Sequence, residues 1–309
     1  MDVRRDLVQR QCRLTSTSDI LALNFVFTKD LLEDHLPPDV VEVLVAGHTV
    51  EPAKDDTNLL VSCCLFSAQN NFHDSKWFIR NQTSGKECIT AELLLAYSST
   101  SALWQNPSTL ATNEDTYIQQ SVRAILVGAF GALNFHRHWT REFPVPAGYE
   151  EPLYPNFFAE RDKLPCVVVE VKSPAADLEA AAADSRKLPL MMKLALNQLL
   201  AAGVQDPVVV GLLVQNNRCE VMSLDLSYEA LYIPKVLGTF ELPRNKYQLP
   251  LLLPGLGPLE AAKELADKTL SAIMKRPRRR KNYRNHPFVR PSYYVHGIKI
   301  PALDPFVEL

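Results

Sequence analysis

Tyr154-Pro-Asn-Phe-Phe-Ala-Glu-Arg-Asp-Lys-Leu-Pro-Cys-Val-Val-Val-Glu-Val-Lys-Ser-Pro174 is the stretch on which the reading of this 309-residue chain turns. The β-branched run Val167-Val168-Val169 specifies a strand, and side chains two apart on a strand project to the same face. Glu170 and Lys172 therefore stand side by side at the end of an apolar strand, and Pro174 stops it. Burying an acid and an amine there is costly and needs a reason. One reason is chemical: a carboxylate holds a hard divalent cation through oxygen, and an ammonium positions water or offsets phosphate charge.

Working outward, Tyr154–Phe158 reads as a preceding strand and Glu160-Arg-Asp-Lys163 as the turn between the two. Further upstream, Thr112-Asn-Glu-Asp115 is a helix entry, with a capping candidate and acids in the first turn. Ile118, Val122, Ile125, Leu126 and Ala129 follow at helical spacing, and that helix ends near Gly131. Phe135–Phe143 alternates as a half-exposed strand. Downstream of Pro174 come an alanine-rich segment, Asp177–Arg186, and a helix from Leu188 to Ala202, with Pro189 in its first turn and Gly203 closing it. Pro207–Val214 reads as a buried strand, Asn216-Asn217 as a hairpin turn, Cys219–Leu226 as the return strand and Leu231–Leu242 as an edge. Leu259–Met274 is a last amphipathic helix.

Helix, strand, strand, strand, helix, strand over roughly 112–245, together with Glu170-x-Lys172, resembles the PD-(D/E)XK, or restriction-endonuclease-like, superfamily. The likeness extends to uncharacterised fungal proteins with a decayed core of this type. It implies an α/β fold: a restriction-endonuclease-like αβββαβ core with a mixed sheet, behind a mainly helical N-terminal region. The implied organisation is residues 1–110 as that helical region, 111–250 as the nuclease-like core and 251–309 as a C-terminal helix with a basic, proline-rich tail. The implied chemistry is Mg²⁺-dependent phosphodiester hydrolysis. Glu170 would bind the metal, Asn156 would give a neutral second ligand, the Val171 carbonyl another oxygen, and Lys172 would orient the hydroxide. The family's second carboxylate is an aspartate just after a proline, and here Pro155 is followed by Asn156, fourteen residues before Glu170. An amide oxygen can ligate Mg²⁺ but brings no charge. Hydrolysis is therefore expected to be impaired, and the alternative is an inactive module that keeps the fold and binds nucleic acid or a protein partner. The superfamily's RecB-like members carry a glutamine with a tyrosine four residues on. Gln198 matches the first and Ala202 departs from the second.

Other residues have plainer readings beside the functional one. Glu114 could be a third oxygen ligand, although a first-turn acid is explained by the helix dipole alone. Glu160 and Asp162 are nearby acids, and Asp162 falls in the expected turn. Lys187 and Lys193 could reach a phosphate or could lie on solvated helix faces. His136 and His138 share a strand face without a third zinc ligand close in sequence.

The six cysteines at 12, 63, 64, 88, 166 and 219 include no C-x-x-C spacing, which argues against a zinc site or disulfide framework. Reduced, buried thiols in an intracellular protein are the expectation. Asn81-Gln-Thr83 matches a glycosylation sequon, read here as chance. No run approaches the roughly 20 apolar residues of a membrane span.

Net charge is −2, yet seven basic residues fall within ten positions: Lys275, Arg276, Arg278, Arg279, Arg280, Lys281 and Arg284. Such a run attracts nucleic acid or an import receptor. The expected partner is nucleic acid, DNA ahead of RNA, with no membrane, and the expected location nuclear rather than cytoplasmic. Residues 1–110 carry no assignable chemistry. Asp19–Phe27 fits a short strand, Lys29–His35 a helical turn, Val40–Val45 a strand or a helix, and Leu59–Ala68 and Glu87–Tyr97 helices.

Overall fold

The computed structural model describes residues 21–22, 25–100, 104, 113–145, 152–174, 178–228 and 231–276, and for 178–186 the backbone alone. It is an α/β structure around one open sheet of six strands, in the order β1-β2-β3-β4-β5-β6. These are β1 (His136–Trp139), β2 (Phe157–Arg161), β3 (Leu164–Lys172), β4 (Val209–Gln215), β5 (Arg218–Leu224) and β6 (Lys235–Glu241). Only β3 and β4 run parallel; every other neighbouring pair is antiparallel. Parallel neighbours need a long crossover, and here it is a helix over Leu178–Ala201.

The central strands read as near-continuous apolar runs because both of their faces are covered. Every residue of β3 is buried except Lys172, and every residue of β4 except Gln215. One face takes the crossover helix: a Cβ at Gly211 would meet Met192 Sδ at 2.4 Å. The other face takes the terminal helix Leu256–Lys275, where a Cβ at Gly238 would meet Pro258 Cγ at 2.3 Å. Among the described residues the edge strands are β1 and β6. His136 and Arg137 on β1 are exposed, the kind of charged, short edge that resists pairing with another chain.

Before the sheet lie α1 (Lys29–Glu33), α2 (Pro38–Val45), α3 (Lys54–Gln69), α4 (Phe72–Thr83) and α5 (Ile89–Ser98). A continuous helical rod follows: α6 (Glu114–Tyr117), a π-helical turn over Ile118–Val122, and α7 (Arg123–Phe130). At Gly128 the rod crosses α5 so closely that a Cβ would lie 2.8 Å from the Cα of Leu93. The crossover helix is α8 (Leu178–Ala201) and the terminal helix α9 (Leu256–Lys275), the latter preceded by a 3-10 stretch over Lys246–Gly255. One large apolar cluster runs from Leu21 through the strands to Ile273, while Leu32 of α1 and Val41 of α2 pack in a second, small cluster with Ile233. The large cluster runs through all three segments expected from the sequence.

Most expected elements are present with shifted ends. The strand expected over Tyr154–Phe158 begins at Phe157 instead, and the turn narrows to Asp162 and Lys163. Both have positive φ, at 52° and 64°, as a tight two-residue hairpin turn requires. Val40–Val45 is helical, because Pro38 stands at the first helical position of α2. Of the segment expected as a strand over Asp19–Phe27, Leu21 and Ala22 are helical and Val26 forms an isolated bridge to Tyr232; residues 19, 20, 23 and 24 lie outside the described residues. The break expected before Leu188 does not exist. The alanine-rich segment and the following helix are one helix of 24 residues, and Pro189 sits inside it rather than in its first turn. Gly203, at φ 80°, does end α8, with Val204 N–H donating to Leu199 O at 3.0 Å. Among the described residues no helix is long and apolar enough to cross a membrane.

Candidate functional site

The end of β3 is drawn together by register. Phe157 pairs with Val169, so Asn156 lies just outside the pairing, level with Glu170. Its backbone carbonyl accepts from Thr140 N–H at 3.0 Å, which fixes the entry into β2. On the other side of β3, Lys172 is level with Gln215 of β4. Asn216 N–H donates to the Lys172 carbonyl at 3.0 Å. The place is therefore the carboxyl end of the one parallel strand pair, where open α/β sheets usually take ligands.

The helical rod brings Glu114 to the same place. Asn113 caps it, accepting from Thr116 N–H at 2.8 Å. The Tyr117 hydroxyl donates to the Asn216 carbonyl and so ties the start of the rod to the β4–β5 turn. Asn156 then bridges rod and sheet. Its Oδ1 accepts from Val171 N–H at 2.7 Å, and its Nδ2 donates to Glu114 Oε1 at 2.8 Å. The other carboxylate oxygen, Glu114 Oε2, takes the Lys172 ammonium at 3.0 Å. Both side chains of that ion pair keep partial contact with solvent, 32% for Glu114 and 22% for Lys172.

Glu170 is more enclosed, with its side chain 2% exposed. Its Oε1 lies 2.8 Å from Lys187 Nζ, which reaches across from α8. The same ammonium donates to the Tyr154 carbonyl at 2.7 Å, two residues before Asn156. Asn156, Lys172 and Glu170 thus gather at one strand end, with Glu114 and Lys187 added. Each acid has an ammonium beside it: Lys172 by Glu114 and Lys187 by Glu170.

The other candidates lie elsewhere. Glu160 and Asp162 sit at the hairpin end of β2, away from Glu170. Glu160 meets His138 Nε2 at 3.1 Å and Asp162 meets Arg276 Nη2 at 3.1 Å. Neither is placed to complete a ligand set with Glu170. His138 stacks on Phe158, and among the described residues no group of three or more His, Cys, Asp or Glu side chains is arranged to hold a metal. Lys193 is neither solvated nor poised for phosphate. It is fully buried, with its ammonium 4.8 Å from the Tyr232 ring centroid. Gln198 Nε2 donates to the Pro144 carbonyl at 2.6 Å, which gives it a local role. Of the basic run only Lys275 and Arg276 are among the described residues; Arg278, Arg279, Arg280, Lys281 and Arg284 lie outside them.

The donor set can be tested against a divalent cation. Mg²⁺ is held by carboxylates whose negative charge is available to it. Here each acid already has an ammonium within 3.0 Å, and Asn156 Oδ1 is turned onto a backbone N–H. As arranged, these residues do not suit such an ion.

Sequence reasoning placed Asn156, Glu170 and Lys172 and weighed Glu114 chiefly as a dipole-favoured acid. It missed the pairing of Lys187 with Glu170. Nothing in spacing signals that contact, because it depends on α8 running unbroken past Pro189.

Compared with family models, with characterised proteins and with solved structures, the chain matches none.

Proposed function

We propose that the chain is a nuclease-like protein of the PD-(D/E)XK kind, directed at phosphodiester bonds in nucleic acid, DNA ahead of RNA, with hydrolysis impaired by Asn156. The observation that carries this reading is the gathering of Glu114, Asn156, Glu170 and Lys172 at the carboxyl end of the parallel pair β3 and β4. A buried acid at a sheet end is costly to maintain for stability alone, and a phosphate-handling site gives it a use. Lys172 and Lys187 supply positive charge next to where a phosphate would lie. Lys172, when released from Glu114, could orient water.

A second reading is favoured by the ion pairing of both acids: a non-catalytic module that keeps the fold and binds nucleic acid or a protein. Cleavage assays on single- and double-stranded DNA and on RNA, with Mg²⁺ and with Mn²⁺, separate the two. The nuclease reading expects Asn156→Asp to raise cleavage well above wild type and the added change Glu170→Ala to remove it. Cleavage that neither variant alters, on any substrate, leaves the non-catalytic module.

A further inference from the structure

We infer that Asn156 and Lys172 together take the place of a divalent cation in this site, making it a latch that closes without metal. The inference rests on the proposed kinship with metal-dependent nucleases for its starting point, but its evidence is the hydrogen bonding of Asn156. An asparagine and an aspartate have nearly the same shape, and either could accept the Val171 N–H through Oδ1. They differ at the second atom. Asn156 Nδ2 donates to Glu114 Oε1 at 2.8 Å. A carboxylate oxygen in that position would face another carboxylate oxygen with no proton between them. Like charges so close disfavour the fold unless a proton or a cation lies between.

The amide therefore removes one negative charge and supplies the donor that Glu114 needs. Lys172 supplies the rest, at 3.0 Å from Glu114 Oε2. Both oxygens of Glu114 are thus satisfied by the chain itself. The consequence is mechanical as well as electrostatic. Glu114 opens the helical rod, and Asn156 links it to Val171 on β3, so the latch fastens the rod to the sheet whatever the metal concentration. Reversing the one atom that distinguishes asparagine from aspartate should make the fastening cation-dependent.

The test is the thermal unfolding of the full chain in EDTA and in excess Mn²⁺. Wild type should unfold at the same temperature in both. Asn156→Asp should unfold lower than wild type in EDTA, by about 2–3 °C in a chain of this size, and recover in Mn²⁺. Adding Glu114→Gln to Asn156→Asp should remove the Mn²⁺ response. If Asn156→Asp does not fold in EDTA, its refolding yield on addition of Mn²⁺ gives the same reading, expected to rise. A wild type that gains as much from Mn²⁺ as the variant overturns the inference. So does an Asn156→Asp variant equal to wild type in EDTA and indifferent to Mn²⁺. The two proposals fail separately: cation-dependent folding of the variant without any cleavage removes the nuclease reading and keeps the latch, whereas cation-stabilised, cleaving wild type does the reverse.

Discussion

Lys187 Nζ lies 2.8 Å from Glu170 Oε1, so the most enclosed acid of the site is neutralised from a helix that sequence spacing did not connect to it. Breaking a fully buried pair by removing one partner costs about 3–5 kcal/mol. Lys187 is partly exposed, so the lower end applies. Lys187→Met should destabilise by about 3 kcal/mol in urea unfolding. The double change Lys187→Met with Glu170→Met should recover most of that loss. A double variant no better than the single one would show that the pair is not the source of the effect.

Asn113 should matter to the site through position rather than contact. It caps the rod by accepting from Thr116 N–H, and Asn113→Ala should cost about 1 kcal/mol of stability. If Asn113 sets where Glu114 begins, the loss should shrink when Glu114→Gln is already present. Additive losses would separate the cap from the latch.

Two acids, Glu220 within β5 and Asp225 just after it, should make stability respond to pH in opposite directions. Burial raises the Glu220 carboxyl above its ordinary value, against the pull of Arg218. Its charged form therefore weighs against folding above the raised native value, and the penalty fades as pH falls through that value. Glu220→Gln should raise Tm at pH 7 and lose its advantage under acid conditions. Burial also pushes the Asp225 carboxyl up, but hydrogen bonds from Lys235 and Ser227 outweigh it and hold the group below its ordinary value. Its contribution is present above the unfolded pKa and lost as pH falls through the depressed one. Asp225→Asn should therefore lower Tm at pH 7, with the loss narrowing toward strong acid. Melting curves across pH 3–8, taken where the fold survives, read both signs.

Burial raises the thiols of Cys63 to about 11 and of Cys64 and Cys166 to about 12. Reactivity follows the thiolate fraction and access. At pH 8 the native protein should leave these three unmodified by iodoacetamide, and half-buried Cys88 should react first among the described cysteines. Mass spectrometry of native and urea-unfolded samples checks the order. Rapid native labelling at Cys63 or Cys64 would contradict the packing of α3.

The fold was legible where local chemistry and tertiary structure agree. Val167–Val169 formed the central strand, Gly203 ended a helix, and Asn216, at φ 59°, made the turn expected of it. It was less legible where packing overrules propensity. Pro189 reads as a helix start, yet the helix covering β3 and β4 passes straight through it. The site was half legible for the same reason. Asn156, Glu170 and Lys172 follow from strand alternation and one hairpin, which are local. Lys187 and the full role of Glu114 depend on helices 17 and 42 residues away from their partners. Proximity of that kind leaves no periodic trace.

The central claim is that Glu114, Asn156, Glu170 and Lys172 form a single site whose chemistry turns on the amide at 156. Anomalous diffraction from Asn156→Asp crystals soaked in Mn²⁺ tests it most directly, with wild-type crystals soaked in parallel. The account predicts a manganese peak between Glu114, position 156 and Glu170 in the variant and none there in wild type. A variant with no peak at that strand end, or a wild type with the same peak, would contradict it.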